Sequence, residues 1–381
     1  MYLQALKLKF FKNYTDRDFK FVKGVNFITG PNASGKTNVL DAIYMLSFTK
    51  SYFNLNDSSL INFMQEKDHG AGFFLIEGQY LVNDSPELIR IVYDKNRNKE
   101  KRKIIQRNSK AYERFSDHIG LIPLIMIAPY DVSLILGGSE ERRKFIDILI
   151  SQFDKEYLNA LISYNKALKN RNILLKQIIR NGQYVDRMLF ASWDAQLIKY
   201  GNIIYEMRKN ITNDLIELFN KYYYKIAGTD DKIKINYTSQ LESKTMEELL
   251  KDNFEKDKEM LYTTVGIHKD DIVFVINDMK MKKIASQGQQ KTLLIALKLA
   301  EREIIKKFSG KTPILLLDDV FDKLDEIRVS KMIKELDQDD DGQIFITDTH
   351  TERMLNIKKS LVRASLLYEI IPQTGEVKNY V

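Results

Sequence analysis

Gly30-Pro31-Asn32-Ala33-Ser34-Gly35-Lys36-Thr37 fits the pattern G-x-x-x-x-G-K-[ST] at every fixed position. It follows an apolar, strand-like stretch, Phe21 to Ile28. It precedes Val39, Leu40, Ile43, Tyr44 and Leu46, which recur at helical spacing. Strand, glycine-rich turn and helix in that order form a phosphate-binding loop. Backbone N–H groups of the loop and the helix start face the phosphates. Gly35 permits close approach of the backbone, Lys36 supplies a point charge for the β- and γ-phosphates, and Thr37 offers a hydroxyl to Mg²⁺. ATP with Mg²⁺ is the ligand such a loop predicts.

Two distant stretches complete a composite site. Ile314 to Leu317, apolar throughout, ends in Asp318-Asp319. A buried parallel strand aims its C-terminal residues at a ligand crevice, so both carboxylates can stand beside the phosphate loop. Asp318 is the expected Mg²⁺ partner with Thr37, and Asp319 with Lys36 the expected catalytic pair, Asp319 orienting the attacking water. Ser286-Gln287-Gly288-Gln289-Gln290 opens a helix that runs through Leu293, Leu294, Leu297 and Leu299. Ser286 can be a plain N-cap there. A serine hydroxyl and a close-approach glycine at a helix start also suit a γ-phosphate.

Composition narrows the class. With no cysteine, disulfides and thiolate zinc sites are excluded, and with only four histidines any essential metal is expected as Mg²⁺ on oxygen ligands. No apolar run approaches the roughly 20 residues of a membrane span, and Met1 to Phe10 alternates like a strand, unlike a signal peptide. A cytoplasmic protein with no membrane partner is expected. Net charge is +7, yet Leu88 to Phe115 alone holds ten Lys/Arg against three Asp/Glu. Lys101, Arg102, Lys103 and Arg107 in that segment suit a polyanion such as DNA; a solvated hairpin is the plainer alternative.

Along the chain, Leu3–Phe10, Gly72–Gln79, Leu88–Tyr93 and Lys101–Arg107 have strand character, with turn residues at Asp94 to Asn98. From Ser139, a plausible N-cap, Glu140 to Arg180 is helical in pattern, and Asp186 to Ile226 repeats it after Asn181-Gly182. Each could reach roughly 60 Å if unbroken. Lys232–Tyr237 reads as a strand and Glu247–Lys256 as a helix. Ile272–Ile276 and Met281–Ile284 flank an Asn277-Asp278 turn. Helix and strand then alternate through Gln289–Phe308, Pro313–Leu317, Glu326–Leu336 and Gln343–Thr347, which argues for parallel strands with crossover helices. The expected fold is α/β, an ABC-type (P-loop) ATPase head made from both chain ends (1–121 and 227–381) with an inserted helical arm domain of long antiparallel helices (122–226).

The three motifs in this order resemble the ABC-type ATPase heads of the SMC/Rad50 group, and the intervening segments resemble the RecF family of bacterial recombination proteins. The likeness is carried by Phe10-Phe11-Lys12-Asn13-Tyr14, by Gly137 to Asp147 (GGSEERRKFID) and by Gly266-Ile267-His268-Lys269-Asp270-Asp271. Ala285 to Lys291 and Leu317-Asp318-Asp319-Val320-Phe321 complete it. The family more often has proline and arginine at the positions of Ile267 and Lys269, and a basic residue near Tyr52 or Phe53. The resemblance implies a weak, DNA-stimulated ATPase of DNA repair, replication and the SOS response. Ser286, Gln287, Gly288 and Gln289 would act in trans on the nucleotide of a second copy, with Leu324-Asp325 touching that partner. The ATP-induced homodimer would clamp DNA at single-strand/double-strand junctions, help RecR and RecO load RecA, and let go after slow hydrolysis. Arg142 and Arg143 would bind phosphate or pair with nearby acids. His268 would be a base or a packed loop residue, and His350 stands where many ABC ATPases sense the γ-phosphate. Two other classes share the motifs. A transporter's nucleotide-binding subunit usually has about a hundred residues between loop and signature, whereas Lys36 and Ser286 lie 250 apart. An ABC-headed nuclease would need a further acidic domain, and only 62 residues follow Asp319.

Overall fold

The computed structural model describes residues 1–180, 187–227, 233–276, 279–280, 287–320, 342–371 and 377–380. Met281–Ile284, Ser286, Leu324-Asp325 and the expected helix Glu326–Leu336 lie outside them. The chain forms two compact units: Met1–Tyr130 with Ile305–Val381, and Asp131–Ile304. The first is thus an α/β head assembled from both chain ends, and the second is the insertion.

Two sheets build the head. The antiparallel one runs β2-β1-β4-β5-β6-β7, from β1 (Tyr2–Phe11), β2 (Tyr14–Lys20), β4 (Phe73–Val82), β5 (Ser85–Asp94), β6 (Lys103–Arg107) and β7 (Lys110–Ala111). Leu3, Leu6, Leu8 and Phe11 of β1 are buried; a register shift between Leu3 and Ala5 accounts for the three-residue step to Leu6, and the second such step, Leu8 to Phe11, spans Phe10 at φ 53°. The sequence pattern did not reveal β2. It is an edge strand whose Thr15-Asp16-Arg17-Asp18 centre carries polar side chains, as unpaired edges do. Strands β4 and β5 are longer than their hydrophobic runs. They meet at Asn83-Asp84, whose φ values of 48° and 61° make the tight hairpin turn without a glycine.

The second sheet runs β15-β14-β3-β13-β12-β8. Its members are β3 (Val25–Thr29), β8 (Leu124–Ile127), β12 (Ile314–Asp318), β13 (Ile344–Asp348), β14 (Ser365–Ile370) and β15 (Val377–Tyr380). All neighbours are parallel except β14 and β15. Every residue of β3, β8, β12 and β13 is buried, the near-continuous apolar signature of a covered parallel sheet. Because β8 pairs with β12, the head extends past the expected boundary at 121/122. Helix α1 (Lys36–Phe48) meets strands of both sheets and is buried on nearly all sides, its buried Asp41 and Ser47 each held by a partner, Lys12 and the Ile122 carbonyl. The short α2 (Phe63–His69) and α10 (Thr351–Ser360) complete the unit.

The inserted unit holds α3 (Ser133–Leu136), α4 (Ser139–Ser151), α5 (Lys155–Arg180), α6 (Ala191–Ala227), α7 (Met246–Asp252), α8 (Phe254–Met260) and most of α9 (Gln287–Ser309). It also holds the small sheet β11-β10-β9, made of β9 (Ile233–Thr238), β10 (Asp271–Ile276) and β11 (Met279–Lys280). The expected helix Glu140–Arg180 is two helices. The Asp154 side chain accepts the Tyr157 N–H at 2.8 Å and starts α5 afresh. Helix α6 runs 37 residues, about 55 Å, straight through Gly201, where an added Cβ would sit 3.4 Å from Tyr164. Because β9 pairs with β10, and β10 packs on α4, this sheet groups with the helices, whereas the expected arm ended at 226. Arg171 and Arg208 are the largest fully buried side chains. Arg171 is held by Asp194, Asp257 and Thr263; Arg208 bonds Asp147, Asp270 and the Ile267 carbonyl. Buried guanidinium groups are tolerable only when paired in this way.

Candidate functional site

The phosphate loop joins the C-terminal end of β3 to α1. Gly30 and Gly35 take φ values of 141° and 108°, and a Cβ on either would lie within 2.6 Å of the Ile370 carbonyl or 2.4 Å of Asn13. Only glycine fits both places. Two residues from the β1–β2 turn brace the loop: Asn13 Nδ2 donates to the Ser34 carbonyl at 3.1 Å, and the Tyr14 hydroxyl to the Gly35 carbonyl at 3.1 Å. Asn38 in turn donates to Asn13 at 2.7 Å. Lys36, 4% exposed, donates its ammonium to the Gly30 and Pro31 carbonyls at 2.8 and 3.0 Å. Burial lowers its pKa against the opposing pull of Asp319, Asp318 and Asp348. The Ser34 hydroxyl is buried with no partner among the described residues.

Strand order places β13 between the loop strand β3 and the carboxylate strand β12. The Thr37 hydroxyl reaches Asp318 across 281 residues of sequence, at 2.9 and 3.1 Å to its two oxygens. Thr347, the last residue but one of β13, ties the two acids together. Its hydroxyl donates to Asp318 Oδ1 at 2.7 Å and accepts the Asp319 N–H at 3.0 Å. Asp319 sits at φ 46°, a conformation costly for a non-glycine residue and one that surrounding bonds must hold. Burial raises the Asp318 pKa, the Thr347 and Thr37 hydroxyls only partly offsetting it. A buried carboxylate and hydroxyl side by side are hard oxygen donors of the kind Mg²⁺ takes. With the buried, unpartnered Ser34 hydroxyl and the glycine cradle, the residues present fit a magnesium-bound phosphate chain.

The other candidates stand as follows. Gly288, Gln289 and Gln290 open α9, where the Thr292 hydroxyl bonds the Gly288 carbonyl at 2.9 Å; Gln287 is its first residue. These residues belong to the inserted unit and Lys36 to the head. Lys101 is exposed on a short 3-10 turn, and Arg102 donates to the Arg97 carbonyl at 3.3 Å. Lys103 pairs with Asp57 at 2.6 Å and Arg107 with Glu87 at 2.5 Å. Arg142 grips Asp271 at 2.7 and 3.0 Å, and Arg143 bonds the Asp270 carbonyl at 2.7 Å. His268 is half-buried in the inserted unit. Its Nε2 faces the Thr263 carbonyl at 3.0 Å, so that nitrogen carries the proton and Nδ1 accepts from Tyr164 at 2.9 Å; burial lowers its pKa to about 4. His350 follows β13 with its side chain 72% exposed, its own N–H bonded to Asp348 at 2.8 Å. Lys12 pairs with the buried Asp41 at 2.7 Å and lies over the Phe53 ring at 5.3 Å, bringing a cation to where the sequence places none.

A family model described as the RecF/RecN/SMC N terminal domain matches residues 2–369. The DNA replication and repair protein RecF of Flavobacterium johnsoniae is 45% identical over 94% of this chain and 97% of its own length. The chain belongs to the RecF family. The RecF of Azobacteroides pseudotrichonymphae is 43% identical over 97% of the chain and 98% of its own. Among solved structures, that of the recombination mediator protein RecF with ATP, in the RecFOR pathway, aligns with a TM-score of 0.86 at 30% identity, covering 100% of this chain and 98% of that one. RecF membership withdraws the ground from the transporter-subunit and nuclease alternatives. Within this RecF-family head, Thr347 and the bracing of the loop by Asn13 and Tyr14 were not assigned from sequence. Thr347 carries no motif of its own, and Asn13-Tyr14 stood out only as part of a family likeness.

Proposed function

We propose that the chain is a RecF-type ATPase of DNA replication and recombinational repair, whose ATP-bound dimer holds DNA. The observation that carries it is the convergence of Lys36, Thr37, Asp318 and Asp319 through Thr347 at the end of one parallel sheet. ATP is the substrate. The loop N–H groups and Lys36 would take its phosphates, the lysine exchanging two carbonyl oxygens for phosphate oxygens and so recovering the charge partner that burial denies it. Thr37 and Asp318 would hold Mg²⁺, which when bound neutralises phosphate charge. Asp319, fixed by its N–H bond to Thr347, would orient water for hydrolysis and take up its proton. The RecF–ATP structure's likeness over the whole chain supports this assignment.

Ser286 to Gln289 would complete the site from a second copy, so that ATP converts binding energy into a closed dimer. Hydrolysis would remove the bridging phosphate and release the clamp; we propose that it is slow and stimulated by DNA. The DNA would be gapped, held at the single-strand/double-strand junction through its phosphates, and the partners RecR and RecO, with RecA loading as the outcome. A cytoplasmic setting accords with the absence, among the described residues, of any helix long and apolar enough to cross a membrane. Purified protein on gapped DNA tests the reading. Salt-sensitive binding that ATP and Mg²⁺ strengthen, without cutting, and that Lys36→Ala makes indifferent to ATP, is expected. Cleavage of the DNA, or binding to which ATP makes no difference in the wild type, would contradict it.

A further inference from the structure

We propose that the exposed face of α5 is a track for the phosphate backbone of DNA, with Lys166, Lys169 and Lys176 as its contacts. This rests on the DNA-binding function proposed above and names the surface that serves it. From Tyr157 to Val185 the chain contains no aspartate or glutamate, whereas its average acid content would place about four in a stretch of that length. The apolar face of α5 is spent on the core through Tyr157, Tyr164, Ala167 and Leu175, all fully buried. The opposite face presents the three lysines to solvent, and among the described residues none of them makes an ion pair.

The other cationic regions differ. In the basic hairpin of the head, Lys103 and Arg107 are paired with Asp57 and Glu87, and Asp94, Glu100 and Glu113 are interspersed among its other cations. Arg142 and Arg143 are turned to Asp271 and the Asp270 carbonyl. On α6 the exposed Lys199, Lys209 and Lys221 are interleaved with Glu206, Asp214 and Glu217, so that face has little net sign. From Tyr157 onward helix α5 is one-signed. Lys166 and Lys176 are ten residues apart on a rigid helix, about 15 Å along its axis. A duplex carries one phosphate per about 1.7 Å, so the stripe passes enough of them for three contacts. Ammonium groups on flexible stems are point charges that meet phosphates without reading bases, which suits recognition of a junction over a sequence. Ile162 and Ile173, 48% and 42% exposed, lie on the same face between and beside the lysines.

The test compares wild type, Lys166→Gln/Lys169→Gln/Lys176→Gln and a charge-matched control, Lys199→Gln/Lys209→Gln/Lys221→Gln. Each is titrated with gapped DNA in the presence of ATP and Mg²⁺ over a range of salt. Circular dichroism and ATP-dependent sedimentation verify that the variants fold and assemble as the wild type does. The α5 variant is expected to bind tenfold or more weakly at about 0.1 M salt, and its slope of log affinity on log salt to flatten by about 2.7. The control is expected to lose less than half of that slope. An α5 variant with wild-type affinity and slope overturns the proposal and leaves an acidic protein surface as the occupant of the stripe; an equal loss in the control overturns it as well. Failure of the wild type itself to bind DNA defeats the functional reading first, so the two failures are told apart.

Discussion

Replacing Thr347 with valine keeps the shape of the side chain and removes one hydroxyl from the centre of the site. Thr347 is fully buried, and its hydroxyl serves Asp318 at 2.7 Å and the Asp319 N–H at 3.0 Å. In Thr347→Val both partners lose a hydrogen bond where water cannot replace it. An unsatisfied buried group costs about 1–3 kcal/mol, so the pair of losses amounts to about 2–6 kcal/mol of stability in the nucleotide-free head. Freed from its N–H anchor, Asp319 also leaves its φ 46° conformation, and ATP hydrolysis falls tenfold for each ~1.4 kcal/mol of lost positioning. Thr347→Ser keeps the hydroxyl and loses one methyl, a loss of about 1 kcal/mol, and turns over ATP near the wild-type rate. Urea unfolding followed by circular dichroism gives the first quantity, and phosphate release the second. If the valine variant unfolds and hydrolyses ATP as the serine variant does, the hydroxyl does not couple the two carboxylates and the reasoning fails.

Asp318→Asn removes a charge that burial penalises. Nucleotide-free melting is expected to stay level or rise, while the stabilisation given by ATP with Mg²⁺ disappears in thermal-shift measurements. Arg208→Met strands Asp147 and Asp270 without their cation, at a cost of about 3–5 kcal/mol, read through fluorescence of the chain's single tryptophan, Trp193 in α6. His268 has a folded pKa of about 4, below its ordinary value of 6.5, so the unfolded chain binds a proton between those values. Stability of the inserted unit is therefore full above about pH 6.5 and is lost as pH falls toward about 4, by up to about 3 kcal/mol. Denaturation midpoints across that range should show the fall, and His268→Gln should flatten it.

Strand–loop–helix chemistry around Lys36 was legible because glycine, lysine and threonine each answer a separate geometric demand of the phosphate chain. The apolar run before Asp318 announced a covered parallel strand for the same reason. What escaped the sequence were elements whose side chains carry no periodic signal. The edge strand β2 shows polar residues to solvent on account of its unpaired edge. The Asn83-Asp84 turn achieves left-handed backbone without the glycine that usually marks it. Helix α4 ends at Ser151 and α5 begins after Asp154, an ordinary capping aspartate inside an unbroken helical pattern. Thr347 acquires its importance only from the order in which strands assemble, since β13 happens to fall between β3 and β12. The basic segments were visible as charge, but their partners were not: only the folded chain pairs Arg107 with Glu87 and leaves Lys166, Lys169 and Lys176 outside any ion pair among the described residues.

Shared use of ATP by two copies is most directly tested by sedimentation velocity of wild type and Ser286→Arg, each with and without ATP and Mg²⁺. The wild type is predicted to pass from monomer to dimer when ATP is added, and the arginine variant to remain monomeric while still binding ATP through its own phosphate loop. A Ser286→Arg protein that dimerises with ATP as fully as the wild type would contradict the account.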